Sequence, residues 1–183
     1  MCYVSFHSPL FVTWKKRSRS SGEWRLRGCI GTFTAKELVR GLSEYAVISA
    51  LRDSRFPAVN LGEVSSLRCD VSLLCEFEYN LTAYDWTIGV HGITIEFDHN
   101  GRSYSATYLP EVADEQGWTK EKTIEELVYK AGYRGRCNAA LVRAIQLTRY
   151  QSRKASCTYE EYCEIRRVAE NVQQDASDSH MSN

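Results

Sequence analysis

Trp24-Arg25-Leu26-Arg27-Gly28-Cys29-Ile30-Gly31-Thr32-Phe33 decides the fold class. Its β-formers give a strand that begins near Glu23, and period-two alternation divides its side chains between two faces. Trp24, Leu26, Gly28 and Ile30 share one face; Arg25, Arg27, Cys29, Gly31 and Phe33 share the other. Pro9 to Trp14 is a second apolar run, and the polar, basic Lys15 to Gly22 between them suits an exposed hairpin connection. The pair reads as an antiparallel ribbon.

Downstream, Thr34 followed by Glu37 has capping-box spacing, and Leu38, Leu42, Tyr45, Ile48 and Ser49 line one helical face. A helix over about Ala35 to Arg52 is expected. Val39 and Val47 fall off that stripe, which predicts cover on more than one side. Leu67, Cys69, Val71, Leu73, Cys75 and Phe77 alternate with Arg68, Asp70, Ser72 and Glu76 as in a strand with one buried face. Trp86, Ile88 and Val90, then Ile93, Ile95 and Phe97, repeat the alternation, and Asn100-Gly101 signals a tight hairpin before Tyr104, Ala106 and Tyr108. Past Pro110 the pattern turns helical: Ile124, Leu127, Val128 and Ala131 fall at helical spacing, with Gly132 placed to end the helix. Asn138 to Ala144 reads as a further short helix and Ile145 to Lys154 as a strand. Thr158 and Glu161 give a capping box for a last helix through about Val168.

Strands interleaved with helices, joined by antiparallel connections, predict an α+β domain with a mainly antiparallel sheet covered by helices. Residues 9–168 are expected to form one domain, and the polar residues 169–183 a disordered tail.

Lysine plus arginine balances aspartate plus glutamate at 23 each, so no overall field draws the chain to nucleic acid or anionic membrane. No apolar run reaches the roughly 18 residues of a membrane helix, and no secretory signal is evident. Seven scattered cysteines lack the close pairs of a zinc site and read as reduced thiols of an intracellular protein, in cytoplasm, nucleus or both. No glycine-rich dinucleotide or Walker loop and no histidine pair at metal spacing is present, so no cofactor and no metal is expected. Asp114, Glu115, Glu121, Glu125 and Glu126 read as helix-surface charges.

Chemistry concentrates on the opening strand. Arg27 beside Cys29 on one face would favour the thiolate. Gly28 and Gly31 indicate close approach, by a helix backbone on one side and a ligand on the other. Cys29 reads more simply as a packed core thiol. Asp53 and Arg55 after the helix form either the rim of the same cleft or a helix-ending ion pair. His91 is a candidate proton carrier for Cys29 or a plain turn residue, and His99 belongs to the hairpin tip. Lys15, Lys16, Arg17 and Arg19, with the arginines from Arg134 onward and Tyr133 and Tyr150, raise RNA or nucleotide binding against the reading of solvated loops.

Pro9 to Trp14, Leu26 to Phe33, Asp53-Ser54-Arg55-Phe56-Pro57, Val90-His91-Gly92-Ile93, Ile95-Glu96-Phe97, Ala106 to Val112, Gln116-Gly117-Trp118 and Leu147-Thr148-Arg149-Tyr150 resemble, in order, the landmarks of the AMMECR-one family. The likeness spans about Pro9 to Cys163. It implies the family's α+β fold and a functional surface at Leu26 to Gly31, with no settled reaction. It also implies an association with Memo-like proteins, beside which prokaryotic relatives occur, and with radical SAM enzymes encoded nearby. Family members usually begin with an amphipathic helix before the first strand; here eight residues precede Pro9, and Met1-Cys2-Tyr3 resembles the middle of that helix joined directly to the strand. A shortened start is expected to expose apolar surface or call for a partner.

Three functions follow. The first is a regulatory or binding module whose groove is floored by Arg27, Gly28, Cys29 and Gly31, with Asp53 and Arg55 at its rim, recognising a protein segment or small anionic ligand. The second is an enzyme with Cys29 as nucleophile and His91 as acid or base. The third is an RNA- or nucleotide-binding protein.

Overall fold

A computed structural model describes residues 6–180. The reading of Met1-Cys2-Tyr3 lies outside the described residues. The chain divides into two compact units, one of Met1–Leu73 with Lys154–Asn183 and one of Leu74–Arg153.

In the first unit, β1 (His7–Arg17) and β2 (Trp24–Glu37) form the expected antiparallel hairpin. Its tip is closed by the Ser18 N–H on the Glu23 carbonyl and the Gly22 N–H on the Ser18 carbonyl, and Gly22 adopts the positive φ of 72° that suits glycine. β1 also pairs antiparallel with the first half of β3 (Leu67–Leu81). The strand order here is β2-β1-β3-β6, where β6 is Gln146–Thr158. β2 is therefore an edge strand.

Helix α1 (Leu38–Leu51) packs on β1 and β2. Its start departs from expectation: the strand continues through Glu37, whose carboxylate accepts the Val39 and Arg40 N–H groups. Glu37 is thus the N-cap, whereas Thr34 stays in the strand with its N–H on the Thr32 hydroxyl. Pairing of His7 with Glu37 and Ser8 with Lys36 holds these residues extended, and ladder bonds outweigh the local cap. Val39 and Val47 are exposed, so α1 is covered on one side only. Small residues make its inner face: a Cβ on Gly28 would sit 2.1 Å from the Ser49 carbonyl oxygen, and one on Gly41 2.9 Å from Leu10 Cδ2. The helix consequently lies close against the hairpin, over buried Leu10 and Val12.

The alternation expected in β3 is not reproduced. Arg68 through Leu73 are all half-buried, and Leu74, on the parity of Arg68 and Asp70, is buried. Glu76 has a positive φ of 54°, which breaks the pleat beyond it. Helix α5 (Tyr159–His180) follows β6. The Thr158–Glu161 capping box forms as read: the Thr158 N–H donates to Glu161 Oε2 and the Glu161 N–H to the Thr158 hydroxyl. The helix continues past Val168 to His180, so residues 169–180 are helical where the composition suggests disorder.

The second unit has the order β3-β6-β4-β5, with β4 (Gly92–His99) antiparallel to both β5 (Arg102–Tyr108) and β6. Asn100 and Gly101 make the tight turn with positive φ. Residues 82–91 are turns instead of the strand read from Trp86, Ile88 and Val90. Trp86 is buried there, with its indole N–H on the Ala83 carbonyl. Helices α2 (Pro110–Glu115), α3 (Lys120–Lys130) and α4 (Ala139–Ala144) complete the unit. Ile93, Ile95, Phe97, Ile124, Leu127, Val128, Leu141 and Leu147 form its apolar core. Tyr150 is fully buried; its ring fills the space left by Gly92, and its hydroxyl donates to the Tyr108 carbonyl.

Antiparallel pairing with flanking helices makes this an α+β fold. Among the described residues no helix is long and apolar enough to cross a membrane, and no group of three or more potential metal ligands occurs.

Candidate functional site

Period-two alternation fails where it matters most. Trp14 pairs with Gly28 and Lys15 with Leu26, so Arg27 is the extra residue of a β-bulge. A bulge re-aims its side chain, and the Arg27 partners lie on the chain after α1. Its Nε and Nη2 bind the two carboxylate oxygens of Glu63 at 3.1 and 2.9 Å, Nη1 donates to the Pro57 carbonyl at 2.7 Å, and Nη2 also reaches the Ala58 carbonyl at 3.3 Å. Four of the five guanidinium N–H groups are thereby held by protein. Glu63 also accepts from Lys16 and from Asn60. Arg27 and Lys16 together hold its carboxyl down to about 2, against the opposing effect of burial.

The guanidinium that does stand at Cys29 belongs to Arg55. Beyond α1, Asp53 is buried and makes a tight turn: its Oδ1 accepts the Arg55 N–H and Nε, and its Oδ2 accepts Arg55 Nη2 at 2.7 Å and the Cys29 N–H at 2.8 Å. Arg55 Nη2 donates in addition to the Cys29 carbonyl at 3.0 Å. Asp53 and Arg55 therefore take the places that a further strand would occupy at Cys29, one accepting its N–H and the other donating to its carbonyl. The Arg55 hydrogen bonds hold the Asp53 carboxyl well below the usual carboxylate range despite burial, and the Asp53 bond raises the Arg55 pKa, with a smaller contribution from the Cys29 sulfur. The Asp53–Arg55 pair is thus the ion pair after a helix, and through Cys29 it abuts the strand segment.

Because the Cys29 N–H and carbonyl point outward, Cys29 and Thr13 form a non-hydrogen-bonded pair of the β1/β2 ladder, in which side chains approach closely. The Thr13 hydroxyl accordingly donates to Cys29 Sγ at 3.0 Å. The sulfur is half-buried, neither sealed in hydrocarbon nor fully open. The two glycines differ in role. Gly28 admits the α1 backbone at Ser49, as its reading required, whereas the space beside Gly31 is filled by the Leu10 carbonyl oxygen and the Phe11 ring. Phe11 in turn meets half-exposed Phe33 edge-on, with ring centroids 5.3 Å apart.

His91 belongs to the second unit, where its Nδ1 accepts the Thr87 N–H at 3.1 Å. Burial, aided by Arg149, lowers its pKa below the ordinary 6.5. The C-terminal arginines are largely engaged: Arg149 binds Glu78 through two nitrogens, Arg153 binds Glu76, Arg166 binds Glu170 and Arg167 binds Glu164. Arg134 lies over the Tyr129 ring. Two signals for the Cys29 cluster escaped the sequence: Thr13 as sulfur partner, visible only in cross-strand register, and Glu63 as counter-ion of Arg27.

An edge-strand segment braced by an Asp–Arg turn, on an antiparallel α+β scaffold, defines the class. Residues 3–155 match the family model described as AMMECR1, and the chain belongs to that family. It is 52% identical over 156 residues to the uncharacterized protein At2g38710 of Arabidopsis thaliana, covering 84% of this chain and 72% of the relative. It is 46% identical to the uncharacterized protein C688.03c of Schizosaccharomyces pombe, covering 84% and 77%. The crystal structure of uncharacterized protein PH0010 from Pyrococcus horikoshii is similar with a TM-score of 0.66 and 28% identity, over 84% of this chain and 75% of that one.

Proposed function

We propose that this AMMECR1-family domain is an intracellular binding or regulatory module that recognises a protein segment or small anionic ligand along β2 from Arg27 to Gly31, with Asp53 and Arg55 at the rim. The observation that carries the reading is the Arg55 guanidinium: its side chain is 56% exposed, and it is fixed at the edge of β2 by a buried aspartate and the Cys29 carbonyl. A cation held at a fixed angle toward water loses little freedom on meeting an anion. Arg27 supports the surface from beneath through Glu63 and the Pro57 and Ala58 carbonyls.

The test compares wild type with Arg55→Gln in quantitative affinity capture, with circular dichroism to confirm that both are folded. A partner held by wild type and lost by the variant is the expected outcome. Identical partner sets for the two proteins refute the reading.

The cysteine-dependent enzyme is a second reading, favoured by the Thr13 hydroxyl directed at Cys29 Sγ and by Arg55 beside it. A hydroxyl donor and a guanidinium are the kind of neighbours a cysteine nucleophile works beside. Alkylation of Cys29 followed against pH decides it: a midpoint near the roughly 8.5 of free cysteine removes the activated nucleophile.

A further inference from the structure

The outward N–H and carbonyl of Cys29 fix the direction of those two residues further on. Register runs without a break from Trp14–Gly28 to Leu10–Thr32, so alternation in an antiparallel ladder turns the Gly31 N–H and carbonyl to the same open edge. Cys29 is braced there by Asp53 and Arg55. At Gly31 no partner of its N–H occurs among the described residues. The next backbone group along the edge after the Cys29 carbonyl is this Gly31 N–H, and the Cys29 carbonyl is where Arg55 Nη2 is anchored. Arg55 Nη1 makes no hydrogen bond among the described residues either: Nε and Nη2 hold Asp53 and the Cys29 carbonyl, and the guanidinium lies over the Phe56 ring. Two kinds of unused donor, a backbone amide and a guanidinium terminus, thus stand at neighbouring points along the edge of β2 next to Cys29, with a notch between them.

We propose that this notch, resting on the binding-module reading above, seats a carboxylate, with one oxygen on the Gly31 N–H and the other on Arg55 Nη1. The pairing suits a planar two-oxygen anion because charge-assisted bonds from a guanidinium to carboxylate are short and directional. The buried Asp53 carboxylate occupies the opposite side of the same guanidinium and keeps the fork from turning away. Phe33, exposed two residues beyond Gly31 and packed edge-on against Phe11, offers an apolar contact to whatever carries the carboxylate. A free organic acid and the terminus of an extended peptide share this chemistry; the peptide alone would also continue along the edge of β2.

The experiment is an NMR titration of the full ¹⁵N-labelled chain with acetate, with acetamide as its neutral counterpart, and with a short Val/Thr-rich peptide bearing a free carboxyl terminus beside its amidated twin. Saturable shifts of the Gly31 amide and the Arg55 side-chain N–H signals with acetate, absent with acetamide, are expected. A peptide response that adds Phe33 and loses strength on amidation assigns the source as peptide; an acetate response that the peptide does not improve assigns it as a free acid. Arg55→Lys keeps the charge and loses the fork, and should bind roughly tenfold more weakly, the loss of one charge-assisted bond. No carboxylate-dependent shift at Gly31 in the wild type overturns the proposal. If partner capture still depends on Arg55 while Gly31 ignores every carboxylate, the notch is wrong and the binding module stands.

Discussion

Replacing Glu63 with glutamine removes the counter-charge of Arg27 while preserving size and most hydrogen-bonding capacity. Glu63 is 8% exposed, and its carboxyl is held at about 2 against an ordinary 4.5 by Arg27 first and Lys16 second. At about 1.36 kcal/mol per pH unit, that displacement corresponds to about 3 kcal/mol of stability at neutral pH. Breaking a buried pair from one side costs about 3–5 kcal/mol. The Pro57 and Ala58 carbonyls still hold Arg27, which places the loss at the lower end, about 3 kcal/mol. For a chain of this size the melting temperature should fall by about 2–4 °C per kcal/mol. The folded-state pKa is depressed, so the contribution is fully present above the unfolded value near 4.5 and is lost as pH falls through about 2. Denaturant unfolding of wild type and Glu63→Gln, followed by tryptophan fluorescence at a series of pH values, should therefore show a wide gap at pH 7 that closes as the wild-type carboxyl takes up its proton. A gap of constant width from neutral to acid, or no gap at neutral pH, refutes the assignment of Arg27 to a structural ion pair and returns it to the list of ligand-binding cations.

Gly28→Ala should cost about 3 kcal/mol, the upper end of overpacking, because the new Cβ meets the Ser49 carbonyl oxygen at 2.1 Å and a backbone oxygen in a helix cannot swing aside; thermal unfolding measures it. Tyr150→Phe leaves the Tyr108 carbonyl without its hydroxyl donor and should destabilise by about 1–3 kcal/mol, read in the same assay. Cys69, whose thiol burial pushes up to about 11, should alkylate slowly at pH 8 and accelerate about tenfold per pH unit below that value; isotope-coded alkylation with mass spectrometry reports it, and a rate plateau near pH 8 would contradict the burial.

Much of the scaffold could be read from sequence because its signals are local. The hairpin of β1 and β2, the Asn100-Gly101 turn, the helix of Ile124, Leu127 and Val128, and the Thr158–Glu161 cap depend on residues within a few positions of one another. The misreadings arose where distant partners decide. Thr34 and Glu37 have capping spacing, yet pairing with His7 and Ser8 keeps the strand going and moves the cap to Glu37. Trp86 to Val90 alternates like a strand but folds as turns that bury Trp86. At the candidate site, a single extra residue at Arg27 defeated the alternation that set it beside Cys29. The cation found at Cys29 is Arg55, brought there by a turn after α1. Its ion pair with Asp53 after the helix was legible as one of two options; its bonds to the Cys29 backbone required the helix and strand to be seen together.

The placement of β6 between β3 and β4 carries a cost in time during synthesis. In the first unit β3 has β1 on one side and β6 on the other, but β3 ends at Leu81 and β6 begins only at Gln146. With a ribosome adding about 5–20 residues each second, one flank of β3 stays bare for several seconds after the strand emerges. An unpaired flank of this kind invites pairing with other nascent chains, so slowed elongation between these segments should lower the soluble yield even though the finished protein is unchanged.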